Sequence, residues 1–182
     1  MPDTIRRGNL MRREPNDFWN YSLKLYGVAA VADACLSLQD RAQADVNILL
    51  FCCWQGSLGH ALTTRSLRQA IESVAVWQRQ VILPLRRVRR VVKAEIAAIP
   101  LHRQQQLRRR VAAAELDAEY LEQLMLAQCV ADIPRAVAKD TPAAVIAGNL
   151  RRYVGLLNLP SEPSMQSQLG VLRTACRSHS TA

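Results

Sequence analysis

The sequence is poor in several things at once. Its 182 residues include only 7 Gly, 5 Cys and 3 His, and aromatic residues make up 5%. So little glycine excludes a collagen-like repeat, and a small, odd number of cysteines excludes a disulfide-stapled scaffold. Cys35, Cys52, Cys53 and Cys129 stand among apolar neighbours, as reduced core cysteines do, so a reducing, cytoplasmic setting is expected. No Cys-x-x-Cys occurs, adjacent Cys52 and Cys53 diverge by about 100° on a helix, and His60, His102 and His179 are far apart, so no metal site is expected. Phosphate-binding loop, GxGxxG and nucleophile-elbow patterns are missing too. No cofactor or catalytic residue is therefore expected, and an enzyme is the less favoured class. The longest uncharged stretch, 46–64, is interrupted by Asn47, Gln55 and His60, which makes it a core helix rather than a membrane span. Arg6, Arg7, Arg12 and Arg13 lead into no apolar run, so no secretory signal is read there.

What is present is enough for a core. Hydrophobic residues make up 49% of the chain, and a domain of this size buries roughly 70% of its extended-chain surface. The expected fold is all-α: a single-domain bundle of about six or seven helices with a long antiparallel helical hairpin. Residues 1–15 read as a mobile basic arm, 16–159 as the helical domain, and 160–182 as a linker with a short amphipathic C-terminal helix.

Local signals place the helices. Asn16 caps a first helix burying Phe18, Trp19, Leu23 and Tyr26, with Gly27 expected in the left-handed position that ends it. Val28, Val31, Cys35, Leu38 and Ala42 step by 3 or 4 along a second. Asp45 caps a third, apolar all round and so central, with Asn47 in need of a buried partner and Gly56 and Gly59 as its stop. Ser66 and Gln69 have capping-box spacing, and Ala70, Val74, Trp77, Val81, Leu85, Val88, Val92, Ile96 and Ile99 then predict a rod of roughly 45 Å, kinked or divided at Pro84. Pro100 turns the chain into a returning helix with the stripe Leu107, Val111, Ala114, Ala118, Leu121 and Met125. Thr141 and Pro142 start the next helix, and Met165, Leu169, Leu172 and Cys176 mark a last short one. No segment alternates with period two for long enough to predict a convincing strand.

The formal charge of +9 is local. Residues 79–110 hold ten basic groups against Glu95 alone, and the rest of the chain sums to zero. On a regular helix Arg79, Arg86, Arg90 and Lys93 cluster opposite the apolar stripe, and Arg87, Arg103, Arg108 and Arg109 extend the ridge. Residues 115–132 answer with Glu115, Asp117, Glu119, Glu122 and Asp132 and no base. The bland reading has the hairpin pair these charges internally, at ~0 to 1 kcal/mol per surface pair. The sharper one leaves the ridge free for an acidic protein or a nucleic acid. Sequence-specific DNA recognition is disfavoured, because neither a helix-turn-helix nor a zinc-finger pattern is found.

One stretch is distinctive as a whole. Phe18-Trp19-x-x-Ser22-Leu23-x-Leu25-Tyr26, Ala34-Cys35-Leu36-x-Leu38-Gln39-Asp40 and Asp45-Val46-Asn47-x-Leu49-Leu50-Phe51-Cys52-x-Trp54-x-Gly56 together resemble an uncharacterised bacterial family classed only as a domain of unknown function. The resemblance implies a bacterial, cytoplasmic, helical protein and carries over no catalytic residue. Two expectations follow. The first is a non-enzymatic interaction or regulatory protein whose basic hairpin face meets an acidic macromolecular partner. The second is a small-molecule binder or enzyme with a pocket near Trp19, Gln39, Asp40, Asp45, Asn47 and Trp54. Self-association as a homodimer through the long apolar stripe is a third.

Overall fold

Asn16 opens the first helix by doing what a cap does: its Oδ1 accepts from the amides of Phe18 and Trp19 at 2.8 and 3.1 Å. The computed structural model describes residues 16–94, 96–130, 135–137, 139–157 and 163–179. The expected N-terminal arm, Glu95, Asp132 and the linker at Pro160 lie outside the described residues. Helix α1 spans Asp17–Tyr26 and buries Phe18, Trp19, Ser22 and Leu25. Leu23 is exposed instead, and Gly27 ends the helix in a right-handed conformation at φ −67° rather than a left-handed one. Helix α2, Ala29–Ala42, buries the expected Val31, Cys35, Leu38 and Ala42.

Helix α3, Val46–Ser57, is the centre of the molecule, with every residue from Val46 to Cys53 buried. Asp45 caps it by accepting from the Asn47 amide at 2.9 Å. Phe18 stacks on Trp54 with ring centroids 4.9 Å apart and meets Phe51 edge-on at 5.8 Å, which fixes α1 against α3. All five cysteines are free, and burial pushes the Cys35 thiol up to about 12.

Gly56 is inside α3 rather than its stop. A Cβ built there would sit 2.5 Å from Ile146 Cγ1 and 2.8 Å from the Ile146 backbone, so glycine is what lets α7, Pro142–Leu156, lie directly on α3. The chain turns at Gly59, whose φ is +75°. A two-stranded antiparallel pair that no period-two pattern announced follows, with β1, His60–Leu62, bonded to β2, Arg135–Val137. Fully buried Asn149 of α7 joins these parts: its Nδ2 donates to the carbonyls of His60 and Cys52, and its Oδ1 accepts from the Leu62 amide at 2.9 Å.

The hairpin is built from α4, Thr64–Trp77, a π-helical turn at Gln78–Ile82, α5, Leu83–Val91, and the long α6, Leu101–Cys129. Thr63, not Ser66, caps α4, its hydroxyl accepting from the Ser66 amide at 3.0 Å. Trp77 Nε1 donates to the Ala118 carbonyl at 3.0 Å and clamps α4 to α6. The outgoing arm ends at Val91 rather than running to Ile99. There Gln104 reaches back from α6, donating to the carbonyls of Val92 and Ala94 and accepting from the Ile96 amide at 3.2 Å. One buried glutamine thus satisfies three backbone groups of the turn. Helix α8, Pro163–His179, expected as an appendage, packs against α2 and adds Met165, Leu169, Leu172 and Cys176 to the main core. Among the described residues the fold is all-α apart from one short strand pair.

Candidate functional site

The π turn determines which arginines face the protein. Pro84 has no amide to donate and its ring crowds the turn before it. The chain widens there, and the Leu83 amide bonds to the Gln78 carbonyl five residues back. One extra residue in that turn advances everything downstream by one position. The centre of the inward face passes from the expected Val81, Leu85 and Val88 to Ile82, Arg86 and Arg89, while Val88 and Val91 become exposed.

Arg86, expected on the free ridge, is therefore buried at 6% exposure. Its Nη2 lies 2.6 Å from Glu119 Oε1 and its Nε 3.5 Å from Glu115 Oε1. Arg89 holds the same Glu115 with two bonds, Nε to Oε2 at 2.5 Å and Nη2 to Oε1 at 3.1 Å. Burial raises the Glu119 carboxyl, and the Arg86 hydrogen bond opposes that shift. Two arginines and two glutamates thus form a paired, partly desolvated bridge across the hairpin.

A second polar group lies beside it. The Asp45 and Glu122 carboxyls are both buried, and burial raises both. Burial first, and then the charge of Asp45, pushes Glu122 up to about 9, so Glu122 is protonated at neutral pH. Glu122 Oε2 accepts from Asn47 Nδ2 at 2.5 Å, and Asn47 Oδ1 accepts from Gln123 Nε2 at 2.8 Å. The Tyr153 hydroxyl accepts from the Asp45 amide at 2.7 Å. Asn47 has the buried partners its position demanded.

Between these groups and the N-terminal helices is a cavity of about 230 Å³. Helix α1 lines it with Trp19, Ser22, Leu23 and Tyr26, α2 with Leu36 and Gln39, and α3 with Val46, Asn47 and Leu50; Arg86, Arg89, Glu115, Leu116, Glu119 and Gln123 close it from the hairpin. Of the residues proposed for a pocket, Trp19, Gln39 and Asn47 meet here. Asp45 lies behind Asn47, Asp40 is exposed on the outside of α2, and Trp54 is engaged with Phe18. Glu115, Glu119, Glu122 and Gln123 were not singled out as pocket residues, because the apolar spacing on α6 pointed to Leu107, Val111 and Ala114 instead. Leu107 is in fact exposed, and the buried side of α6 is largely polar.

The rest of the ridge does face outward. Arg79, Arg87, Arg90, Lys93, Arg103, Arg108 and Arg109 are all exposed, and none pairs with a carboxylate among the described residues. Arg89, Gln105, Arg108, Arg109 and Ala112 border a shallow depression of about 400 Å³ on this outer side. Among the described residues no helix is long and apolar enough to cross a membrane, and no group of three or more His, Cys, Asp or Glu is placed to hold a metal ion.

No curated protein and no solved structure matches the chain. A family model does match, over residues 17–126, which takes in the cavity, the π turn and both arms of the hairpin. The chain belongs to the family described as protein of unknown function (DUF2390).

Proposed function

We propose that the protein is a non-enzymatic interaction protein whose outer hairpin docks an acidic macromolecular partner. The observation that carries this reading is the division of the basic groups at the π turn. Arg86 and Arg89 are neutralised from within, whereas Arg87, Arg90, Lys93, Arg103, Arg108 and Arg109 are exposed without carboxylate partners among the described residues. Exposed Val88, Val91, Ile99, Leu101 and Leu107 lie among them. Arginine interleaved with aliphatic groups suits a protein surface with an apolar centre and an acidic rim. Single-stranded nucleic acid is less suited, since it needs stacking platforms and no aromatic residue occurs between Trp77 and Tyr120. A bacterial cytoplasmic setting is part of the proposal, supported by the five free cysteines.

The test is retention of a partner from nuclease-treated extract of the native host on the immobilised full chain. The reading expects an acidic protein held at low salt, released at high salt, and lost when Arg87, Arg90 and Lys93 are together changed to Glu. Retention found only from extract left untreated with nuclease assigns the ridge to nucleic acid instead, and retention unchanged by the charge reversal removes the ridge from the account.

A further inference from the structure

The shallow depression on the outer side of the hairpin differs from the rest of the ridge in how its charges are held. Gln105, Arg108, Arg109 and Ala112 share one face of α6, at positions i, i+3, i+4 and i+7, and Arg89 of α5 borders the depression with them. Arg89 was turned toward α6 by the π turn, and Glu115 takes its Nε and Nη2. Those two bonds fix the guanidinium plane and leave Nη1 without a partner among the described residues. Gln105, Arg108 and Arg109 are exposed, and their side chains have no partner among the described residues either. Half-buried Ala112 contributes only a methyl group, which keeps the depression open.

Charge and oxygen count select the group that fits. Glu115 and Glu119 balance Arg86 and Arg89, so Arg108 and Arg109 leave two positive charges uncompensated, and no carboxylate borders the depression among the described residues. A phosphomonoester carries about −1.5 to −2 at neutral pH and three terminal oxygens. It matches the surplus, accepts from two guanidiniums at once, and keeps an oxygen for Arg89 Nη1 or the Gln105 amide. A carboxylate brings one charge and two oxygens, which a single arginine already answers. A nucleic-acid backbone phosphate also brings only one charge. Small-molecule sites bury about 70 to 90% of their ligand, and a shallow depression does not. A phosphate presented on the side chain of a larger partner suits it better.

We infer that this depression is the part of the docking ridge that takes a phosphorylated serine or threonine of the acidic protein partner, with Arg108 and Arg109 supplying the charge and Arg89 Nη1 and Gln105 the further donors. The inference rests on the docking reading above and deepens it. Its test uses three versions of one labelled acidic peptide, with Ser, Glu or phosphoserine at the same central position, titrated into the full chain and followed by anisotropy. The phosphoserine version is expected to bind about 10-fold more tightly than the Ser version and about 5-fold more tightly than the Glu version. Lowering the pH from about 7.5 to about 5.5, across the second phosphate ionisation near ~6, should shrink that gain while the carboxylates stay charged. With Arg108→Gln and Arg109→Gln together the phosphoserine and Glu peptides should bind alike, whereas Arg87→Gln with Arg90→Gln should weaken all three and keep the preference. Ala112→Glu, which puts an acid into the depression, should erase the preference as a second block. Salt-sensitive binding of all three peptides with no phosphoserine preference overturns the assignment and leaves the docking reading standing, as does a preference that survives both blocks. Binding of none of the three overturns both. A larger phosphate-dependent gain with a 5′-phosphorylated oligonucleotide than with the peptide overturns the protein as the source of the phosphate.

Discussion

Arg86 Nη2 and Glu119 Oε1 stand 2.6 Å apart inside the hairpin, although Arg86 belongs to a run of basic residues that a regular helix would turn to solvent. The pair exists because the π turn at Gln78–Ile82 advances the helix by one residue before Arg86 is reached. The same step leaves Arg87 and Arg90 outside.

Removing one partner of this buried set should be costly. Arg86→Met leaves Glu119 unpaired and Glu115 with Arg89 alone, and a loss of about 3 to 5 kcal/mol is expected for a broken buried pair. Arg90→Met, on the exposed side, should change stability by no more than about 0.5 kcal/mol. Urea unfolding of the two variants checks this; equal losses would contradict the inward placement of Arg86.

The Asp45 and Glu122 pair should make the fold lose stability as pH rises. Glu122 in the folded chain titrates near 9, well above its ordinary value of 4.5, so between those limits the folded state holds a proton that the unfolded state has released. Its contribution is complete below pH 4.5 and is lost as pH rises through about 9. Burial raises Asp45 and Glu119 as well, and both act in the same direction. Urea midpoints measured from pH 6 to 9 should decline, and Glu122→Gln, which keeps a neutral group in place, should flatten that decline. A slope unaffected by Glu122→Gln would show that the proton is held elsewhere.

Much of the fold was legible because its signals are local. Asn16, Asp45 and Thr141 were identified as caps from residue type and position, and each accepts from the amides of the helix it opens. The α2 and α8 stripes were readable because apolar spacing and burial coincide there. The hairpin was not, for two physical reasons. A π turn changes the helical period at a point that only Pro84 hints at, and residues beyond it such as Arg86 and Val88 are then assigned to the wrong face. On α6, burial falls on Gln104, Glu115, Glu122 and Gln123, which apolar periodicity cannot detect because each is buried by polar partners across the chain. A signal was present all the same: an acidic stretch with no base, following a basic stretch with one acid, is what an internally paired hairpin looks like in sequence. The three-residue strands are simply too short to set up a period.

Helix contact at Gly56 yields a sharper steric prediction. Gly56→Ala places a Cβ against the Ile146 backbone, which cannot rotate away, and a loss of about 1 to 3 kcal/mol or more is expected. Gly155 on α7 has nothing within 4 Å of its added Cβ, so Gly155→Ala should stabilise by about 0.5 to 1 kcal/mol through helix propensity. Thermal melts of the two variants should move in opposite directions; a shift of the same sign would contradict the close packing of α3 and α7.

Asn149 should tolerate no isosteric apolar replacement. Asn149→Leu leaves the Leu62 amide and the carbonyls of Cys52 and His60 without their side-chain partner, and each unmet buried group costs about 1 to 3 kcal/mol. Hydrogen exchange of the Leu62 amide is the direct readout: slow in the native protein, and accelerated in the variant beyond the change in global stability. Unchanged protection would mean that Asn149 does not hold β1.

The central claim is that the π turn separates an internally paired set of arginines from an outward set that docks an acidic partner. The most direct measurement is the anisotropy of a labelled acidic amphipathic peptide titrated with the full chain at increasing salt. The account predicts binding that weakens steeply with salt, is reduced by about tenfold or more when Arg87, Arg90 and Lys93 are changed to Glu, and leaves that variant as stable as the native chain. Binding insensitive to both salt and the triple reversal would contradict it.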